Sequence, residues 1–154
     1  MPSSAEAMLE TRFLDHAWYP HQPLVDLLRV LYRDVLRSSD EQTLQVGIIE
    51  GKHALQTLHS MYVMQDDPIG SALAMRHSWR TYFNFGELKA EQTSPTAVTL
   101  TLSGYHDVQL VHAHMILGWA IAAAQLGGAP NATGELLERP WTGKSKVLLY
   151  RVNI

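Results

Sequence analysis

The spacing of apolar residues changes near residue 86, and this change constrains the fold more than any other feature of the chain. Before residue 86, apolar residues recur every three or four positions, which is typical of helices that bury one face. After it, Val98, Leu100 and Leu102 alternate with small or hydroxyl-bearing residues, as in a half-buried strand. The sequence therefore predicts helices in its first half and strands in its second.

Start and stop signals divide the first half into four helices. The second is predicted over Leu24–Arg37, and Ser38–Asp40 supplies the N-cap of the third. Apolar spacing extends that third helix to Tyr62. Asp67 followed by Pro68 predicts the start of a fourth helix, because a capping carboxylate and a proline in the first turn both favour helix initiation.

Two hairpins are predicted to flank a long helix in the second half. The first covers Glu87–Ser103, the helix covers His106–Leu126, and the second hairpin pairs Gly134–Glu138 with Lys144–Ile154. This order predicts an α+β fold in which the helices pack on one face of a single antiparallel sheet. We expect one domain, 1–154, with 1–22 as a peripheral N-terminal helix or arm.

Two glycines, Gly47 and Gly51, lie one turn apart in the third predicted helix. Glycine in a helix interior costs about 1 kcal/mol relative to alanine, so a compensating role is expected. The simplest role is close approach of a neighbouring helix, and close approach of a ligand is the alternative.

Composition excludes several classes of protein. The 154 residues hold 12 basic and 15 acidic side chains, a net charge of −3, so no overall field favours nucleic acid or an anionic membrane. Cysteine is absent, which excludes disulfides and thiolate metal sites and is compatible with a cytoplasmic protein. The most apolar stretch, 115–126, is shorter than the roughly 20 residues that span a bilayer. No membrane span and no secretory signal are predicted.

Eight histidines are the first candidates for chemistry. His112 and His114 resemble a metal pair, but residues two apart on a helix point about 200° away from each other. No HExxH motif occurs, and we predict neither a metal site nor a catalytic residue. We single out His114, at the edge of the most apolar helix, because burial would disturb its pKa.

An aromatic and basic cluster on the fourth helix allows two interpretations. Arg76, Trp79, Arg80 and Phe83 are neighbours at helical spacing. They could form a pocket wall in which rings and a guanidinium bind a carboxylate or phosphate. The favoured alternative is that the rings pack on the sheet while the arginines extend into solvent.

Basic residues form two further groups. Arg29, Arg33 and Arg37 form one helical stripe, which acidic neighbours turn into a salt-bridged face. The last 16 residues, from Arg139, contain four basic residues and no acid, and a protected edge strand explains that pattern. Nucleic acid is therefore disfavoured as a partner.

Short motifs resemble a known group of folds. They are Asp67-Pro68, the segment 79–86, Gly118-Trp119 and the segment 126–129, within a resemblance that covers about 40–154. The chain resembles the fold shared by 4-vinyl reductase domains, distant relatives of the heme NO-binding superfamily and small TRAPP subunits. It most resembles a family of unknown function expanded in myxobacteria.

The resemblance implies a small-molecule sensor or interaction module that dimerises. The chain lacks both the cysteines that 4-vinyl reductase domains often carry and the Tyr-x-Ser-x-Arg motif of the heme sensors, so no cofactor is expected. Fold by itself is weak support for function.

These observations favour a non-enzymatic cytoplasmic regulatory or interaction domain. We expect a homodimer, a protein signalling partner, or a small apolar or anionic ligand. The candidate ligand-binding residues are Arg76, Trp79, Tyr82, Phe83, His114 and Trp119. The alternatives are an enzyme that uses His114 or His77 as acid or base, and a nucleic-acid binder that uses a basic stripe.

Overall fold

The computed structural model describes residues 3–10, 12, 17–105, 110–140 and 146–154. The helices of this part are α1 (Ser3–Glu10), α2 (Gln22–Val30), α3 (Asp40–Gln56), α4 (Pro68–Tyr82) and α5 (Leu110–Leu126). The strands are β1 (Glu87–Ser94), β2 (Ala97–Ser103), β3 (Thr133–Glu138) and β4 (Leu148–Asn153).

The strands form one antiparallel sheet in the order β1-β2-β4-β3. The predicted α+β fold is confirmed, with one strand pair before α5 and one after it. The second hairpin was predicted to turn near 140–143, and residues 141–145 lie outside the described part of the chain.

One face of the sheet forms one side of the core. Leu100 of β2 pairs with Tyr150 of β4, and Val98 pairs with Val152. All four side chains are buried, and α4 and α5 pack over them. The alternation seen in the sequence therefore separates a covered face from a more exposed one.

Helix α3 packs on α5 at backbone distance, as the glycines predicted. A Cβ added to Gly47 would lie 2.7 Å from the Met115 Cα, and one added to Gly118 would lie 2.6 Å from the Gly47 carbonyl carbon. A Cβ on Gly51 would lie 2.9 Å from the Trp119 Cα. The prediction of close helix packing is confirmed.

Two predicted helix ends are wrong. Helix α3 ends at Gln56, and a separate 3-10 turn covers Ser60–Tyr62, so Leu58 lies in a loop and is 76% exposed. Helix α2 ends at Val30 and continues as a π-helical segment over Leu31–Val35. Apolar spacing did not reveal either end, because Leu58 and Val35 continue the pattern and yet remain exposed.

Both predicted N-caps that the structure describes are present. The Ser39 hydroxyl accepts a hydrogen bond from the Gln42 amide at 3.2 Å, and the Asp67 carboxylate accepts one from the Gly70 amide at 2.7 Å. These caps fix where α3 and α4 begin.

No helix in the described part of the chain is long and apolar enough to cross a membrane.

Candidate functional site

A cavity of about 190 Å³ lies between α2, α4, α5 and the first two strands. Its walls are mostly apolar or aromatic, and one residue, Glu50, comes from α3. The lining residues are Leu24, Leu28, Glu50, Met75, Ser78, Trp79, Tyr82, Phe83, Leu88, Leu100, His112, Met115, Ile116, Trp119 and Ala120.

Stacked rings from the end of α4 form one wall. Trp79 is buried and stacks on Phe83 with ring centroids 4.2 Å apart. The Trp79 indole N–H donates to the Phe85 carbonyl at 2.9 Å, which ties the ring to the chain that follows the helix. This bond satisfies the polar atom of a buried tryptophan and fixes the ring orientation.

A buried hydrogen-bonded group of three side chains holds His112 in place. The Tyr105 hydroxyl lies 2.5 Å from His112 Nδ1 and 2.6 Å from His21 Nε2. One hydroxyl proton can serve only one of these nitrogens, so the other imidazole must donate to the Tyr105 oxygen. The tautomers of the two histidines are therefore coupled through Tyr105.

The second nitrogen of His112, Nε2, makes no hydrogen bond with any described residue, although the side chain is 92% buried and lines the cavity. Burial, with a smaller contribution from the charge of His21, lowers the pKa of His112 to about 3. The imidazole is therefore neutral near pH 7 and offers the cavity either an N–H donor or a lone pair, according to its tautomer.

The lining residues Glu50 and Tyr82 are exposed to solvent, and together with Trp119 they form what we call the mouth of the cavity. Polar contacts at this mouth join α3, α4 and α5. The Trp119 indole N–H donates to Glu50 Oε2 at 2.7 Å, and the Trp119 and Tyr82 rings meet edge to face at 5.5 Å. The Tyr82 hydroxyl is hydrogen-bonded to His59 Nε2. Burial, together with the negative charge of Glu50, raises the pKa of Tyr82 to about 12.

Four of the six predicted ligand-binding residues line this cavity, namely Trp79, Tyr82, Phe83 and Trp119. Whether they bind a ligand remains a prediction. Trp79 belongs to the hydrophobic core and Phe83 packs against it, as the packing interpretation of the α4 cluster predicted.

The other two predicted residues, Arg76 and His114, do not line this cavity. Arg76 is exposed on α4, where its Nε donates to His77 Nε2 at 3.1 Å. His114 is buried on another face of α5, with Nε2 3.8 Å from the Asp40 carboxylate. Because positions 112 and 114 diverge on the helix, His112 rather than His114 faces the cavity.

Sequence reasoning also missed Glu50, Met115 and Ile116 of the lining. Glu50 follows Ile49 in α3 as an ordinary polar helix residue, and no local pattern distinguishes it. Its place beside Trp119, 69 residues away, depends on the glycine contact between α3 and α5.

The described residues contain no group of three or more His, Asp or Glu side chains that could hold a metal ion. His16 and His106 lie outside the described part of the chain. His77 is exposed and does not line the cavity.

The arginines of the α2 region were predicted to pair as Arg29 with Asp26 and Arg37 with Asp34, and the structure has the first pair but joins Asp34 to Arg33 instead. Arg29 lies 3.3 Å from the Asp26 carboxylate, and Arg33 forms a two-point contact with Asp34 whose shorter distance is 2.5 Å. The predicted continuous stripe is interrupted, because Arg37 adopts a φ of 50° beyond the π-helical segment.

No protein-family profile matches the chain, and no curated protein sequence matches it. Solved structures do match. An H-NOX structure from work on the function of heme distortion superimposes with a TM-score of 0.68 at 11% identity, covering 98% of this chain and 84% of that chain. The Fe(II) unliganded H-NOX protein from K. algicida gives a TM-score of 0.60 at 12% identity, covering 99% and 86%.

A third match comes from work on modulating heme redox potential through porphyrin distortion, with a TM-score of 0.67, 11% identity and coverage of 98% and 88%. At these identities the similarity shows the fold alone, which is H-NOX-like. The resemblance to 4-vinyl reductase domains, TRAPP subunits and a myxobacterial family is wrong, because the matching structures are H-NOX proteins.

Proposed function

We propose that this chain is a non-enzymatic regulatory domain that binds a small, mainly apolar molecule in the cavity between α2, α4, α5 and the sheet. The observation that carries this proposal is the cavity itself, which combines apolar and aromatic walls with a few polar groups. Ligand sites in proteins have this composition, because apolar walls supply affinity and isolated polar groups supply orientation.

The size of the cavity limits the ligand. A designed apolar cavity of about 150 Å³ holds one benzene molecule. The space of about 190 Å³ here accordingly suits a body of about one ring or a short branched chain. The unpartnered nitrogen of His112 supplies one polar contact inside it.

The H-NOX matches raise the question of heme, and the residues do not fit it. A porphyrin has four pyrrole rings, whereas this space is close to the volume that holds one ring. The stacked Trp79 and Phe83 rings and their partner Phe85 are packed against one another rather than around an open slot.

The charges of the lining disagree with heme as well. Heme carries two carboxylates, which need cations or hydrogen-bond donors to leave water. Among the described residues the lining includes no lysine or arginine, and its charged side chain, Glu50, has the opposite sign to what is needed. His112 is chemically able to bind iron, but the space beside it is too small.

The state of His112 supports a binding role over an acid–base enzyme. A general base works best with a pKa near the working pH, and the pKa of His112 is about 3. Its Nδ1 is occupied by Tyr105, and the carboxylate that the described lining contains, Glu50, holds the Trp119 indole at the mouth.

Occupancy of the cavity would stabilise the position of α2. Leu24 and Leu28 of this short helix form part of the wall, and α2 packs on α5. A ligand that contacts both helices would stabilise this arrangement in proportion to its affinity, which is the requirement for any ligand-driven shift.

The binding proposal is tested with indole and 2-phenylethanol as probes, followed by amide NMR and thermal unfolding. We expect saturable shifts at cavity residues and a raised melting temperature. Leu24→Trp, which fills the cavity from α2, should abolish both effects.

Leu27→Trp is the matched control, because Leu27 is half-buried on the same helix and does not line the cavity. Binding should survive in this variant. Equal binding by both variants, or no binding by the wild type, would overturn the proposal.

We also propose that the domain self-associates. Support comes from the segment between α3 and α4, where Leu58 is 76% exposed and Met61 is 69% exposed. Large apolar side chains exposed close together are typical of contact surfaces. Light scattering should give a dimer mass for the wild type and a monomer mass for the double variant Leu58→Glu, Met61→Glu.

A further inference from the structure

We propose that the ligand of this cavity is an organic cation, in which an ammonium group at the mouth is attached to an apolar body of about one ring. This inference rests on the proposed binding function and specifies the class of ligand. It replaces the sequence-based expectation of an anionic ligand, because Arg76 lies outside the cavity and the mouth carries Glu50.

The Glu50 carboxylate has capacity left for a cation. Its Oε2 accepts the Trp119 indole N–H at 2.7 Å, while Oε1 makes no hydrogen bond or ion pair with any described residue. The indole bond fixes the carboxylate beside the mouth, so its orientation needs no further ordering when a ligand arrives. An ammonium N–H bound to Oε1 would form a charge-assisted hydrogen bond.

Aromatic rings beside Glu50 add a second attraction for positive charge. The Trp119 and Tyr82 rings line the mouth with centroids 5.5 Å apart in an edge-to-face arrangement. Ring faces are negative, so a cation placed over either ring would be attracted and an anion would not.

The apolar interior of the cavity determines where the ligand's positive charge must lie. The interior is formed by side chains such as Met75, Leu88 and Leu100, and burying an unpaired ammonium among them would be costly. The ammonium therefore stays at the mouth beside Glu50, and the apolar body fills the interior. A carboxylate ligand would meet repulsion from Glu50, and no lysine or arginine stands in the part of the lining that the structure describes.

Three probes of one shape and different charge test this inference. They are 2-phenylethylamine, neutral 2-phenylethanol and anionic 3-phenylpropionate, each titrated by calorimetry and amide NMR at pH 7. We expect the amine to bind about tenfold more tightly than the alcohol, as one charge-assisted hydrogen bond would provide, and the acid to bind most weakly.

Glu50→Gln keeps the shape and removes the charge, so the amine should lose its advantage while the affinity for the alcohol is retained. Glu41→Gln is the matched control, since Glu41 is an exposed residue of the same helix outside the lining. The amine preference should persist in it.

The outcomes separate the two proposals. Equal affinity for amine and alcohol in the wild type, or an amine preference that survives Glu50→Gln, overturns the cation inference and leaves the binding proposal intact. Failure of all three probes to bind overturns the binding proposal itself.

Discussion

The Tyr105 hydroxyl and His112 Nδ1 lie 2.5 Å apart in the buried interior, one residue preceding α5 and the other in its first turn. This bond leaves the opposite nitrogen of His112 toward the cavity. It also makes the imidazole part of the folded core, so protonation of the ring must oppose folding.

Acid should destabilise the protein in part through His112. Its pKa is about 3 in the folded protein and about 6.5 when exposed, so the unfolded chain binds more protons between these values. The stabilising contribution is complete above pH 6.5 and is lost as the pH falls toward 3. Between pH 7 and pH 4 the contribution of His112 to the free energy of unfolding should fall by roughly 3 kcal/mol, since each pKa unit of difference corresponds to about 1.4 kcal/mol.

Urea unfolding at several pH values measures this effect, with His112→Gln as the comparison. The variant should be less stable at pH 7 and should lose less stability on acidification than the wild type. Parallel curves for the two proteins would contradict the assignment.

The Tyr82 hydroxyl should lose its proton only at a higher pH than an ordinary tyrosine. Burial, followed by the charge of Glu50, raises the pKa of its hydroxyl to about 12, against an ordinary value of 10.0. Both the wild type and Tyr82→Phe are titrated by ultraviolet absorption. The difference between the two curves should report the ionisation of Tyr82 separately from the other tyrosines. Glu50→Gln should lower the pKa only in part, since burial remains, and an unchanged value would place Glu50 farther from Tyr82 than described.

Alanine at position 118 should destabilise the fold. Helix propensity by itself predicts that glycine to alanine stabilises a helix by about 0.5–1 kcal/mol. Here the new methyl would lie 2.6 Å from the Gly47 backbone, and overpacking of this kind costs about 1–3 kcal/mol or more. Thermal and urea unfolding of Gly118→Ala give the sign of the change in the free energy of unfolding. A stabilised variant would contradict the close approach of α3 and α5.

Hemin should not bind in the cavity. Titration of hemin into the protein should give the absorption spectrum of free hemin, because the cavity lacks the volume for a porphyrin and its described lining residues include no cation for the propionates. A shifted absorption band that His112→Gln removes would show that the cavity opens to admit heme beside this histidine.

Local sequence signals predicted the elements and their order well. The alternation at Val98, Leu100 and Leu102 identified β2, and the Asp67-Pro68 pair located the start of α4. Such signals work because caps and periodicity depend on neighbours within a few residues. The end of α3 was missed, because Leu58 continues the apolar spacing and yet remains exposed.

The candidate site was predicted only in part. Trp79 and Phe83 were found because large aromatic side chains at the end of a helix that packs on the core are expected to point inward, and the cavity lies on that inner side. His112 was considered with His114, and helical geometry correctly separated them. Which of the two faces the cavity depends on how α5 is rotated against the sheet and α3, and no short stretch of sequence specifies that rotation.

The sequence by itself determined the α+β order, the caps and the glycine contact, because each depends on backbone conformation or on a missing side chain. The tertiary structure decided that Glu50 meets Trp119, that Tyr105 meets His112, and that Arg76 stays outside. Glu50 and Trp119 are 69 residues apart, and even the bond between Tyr105 and His112 depends on how α5 is placed, so these contacts follow from the packing of whole helices against one another and the sheet.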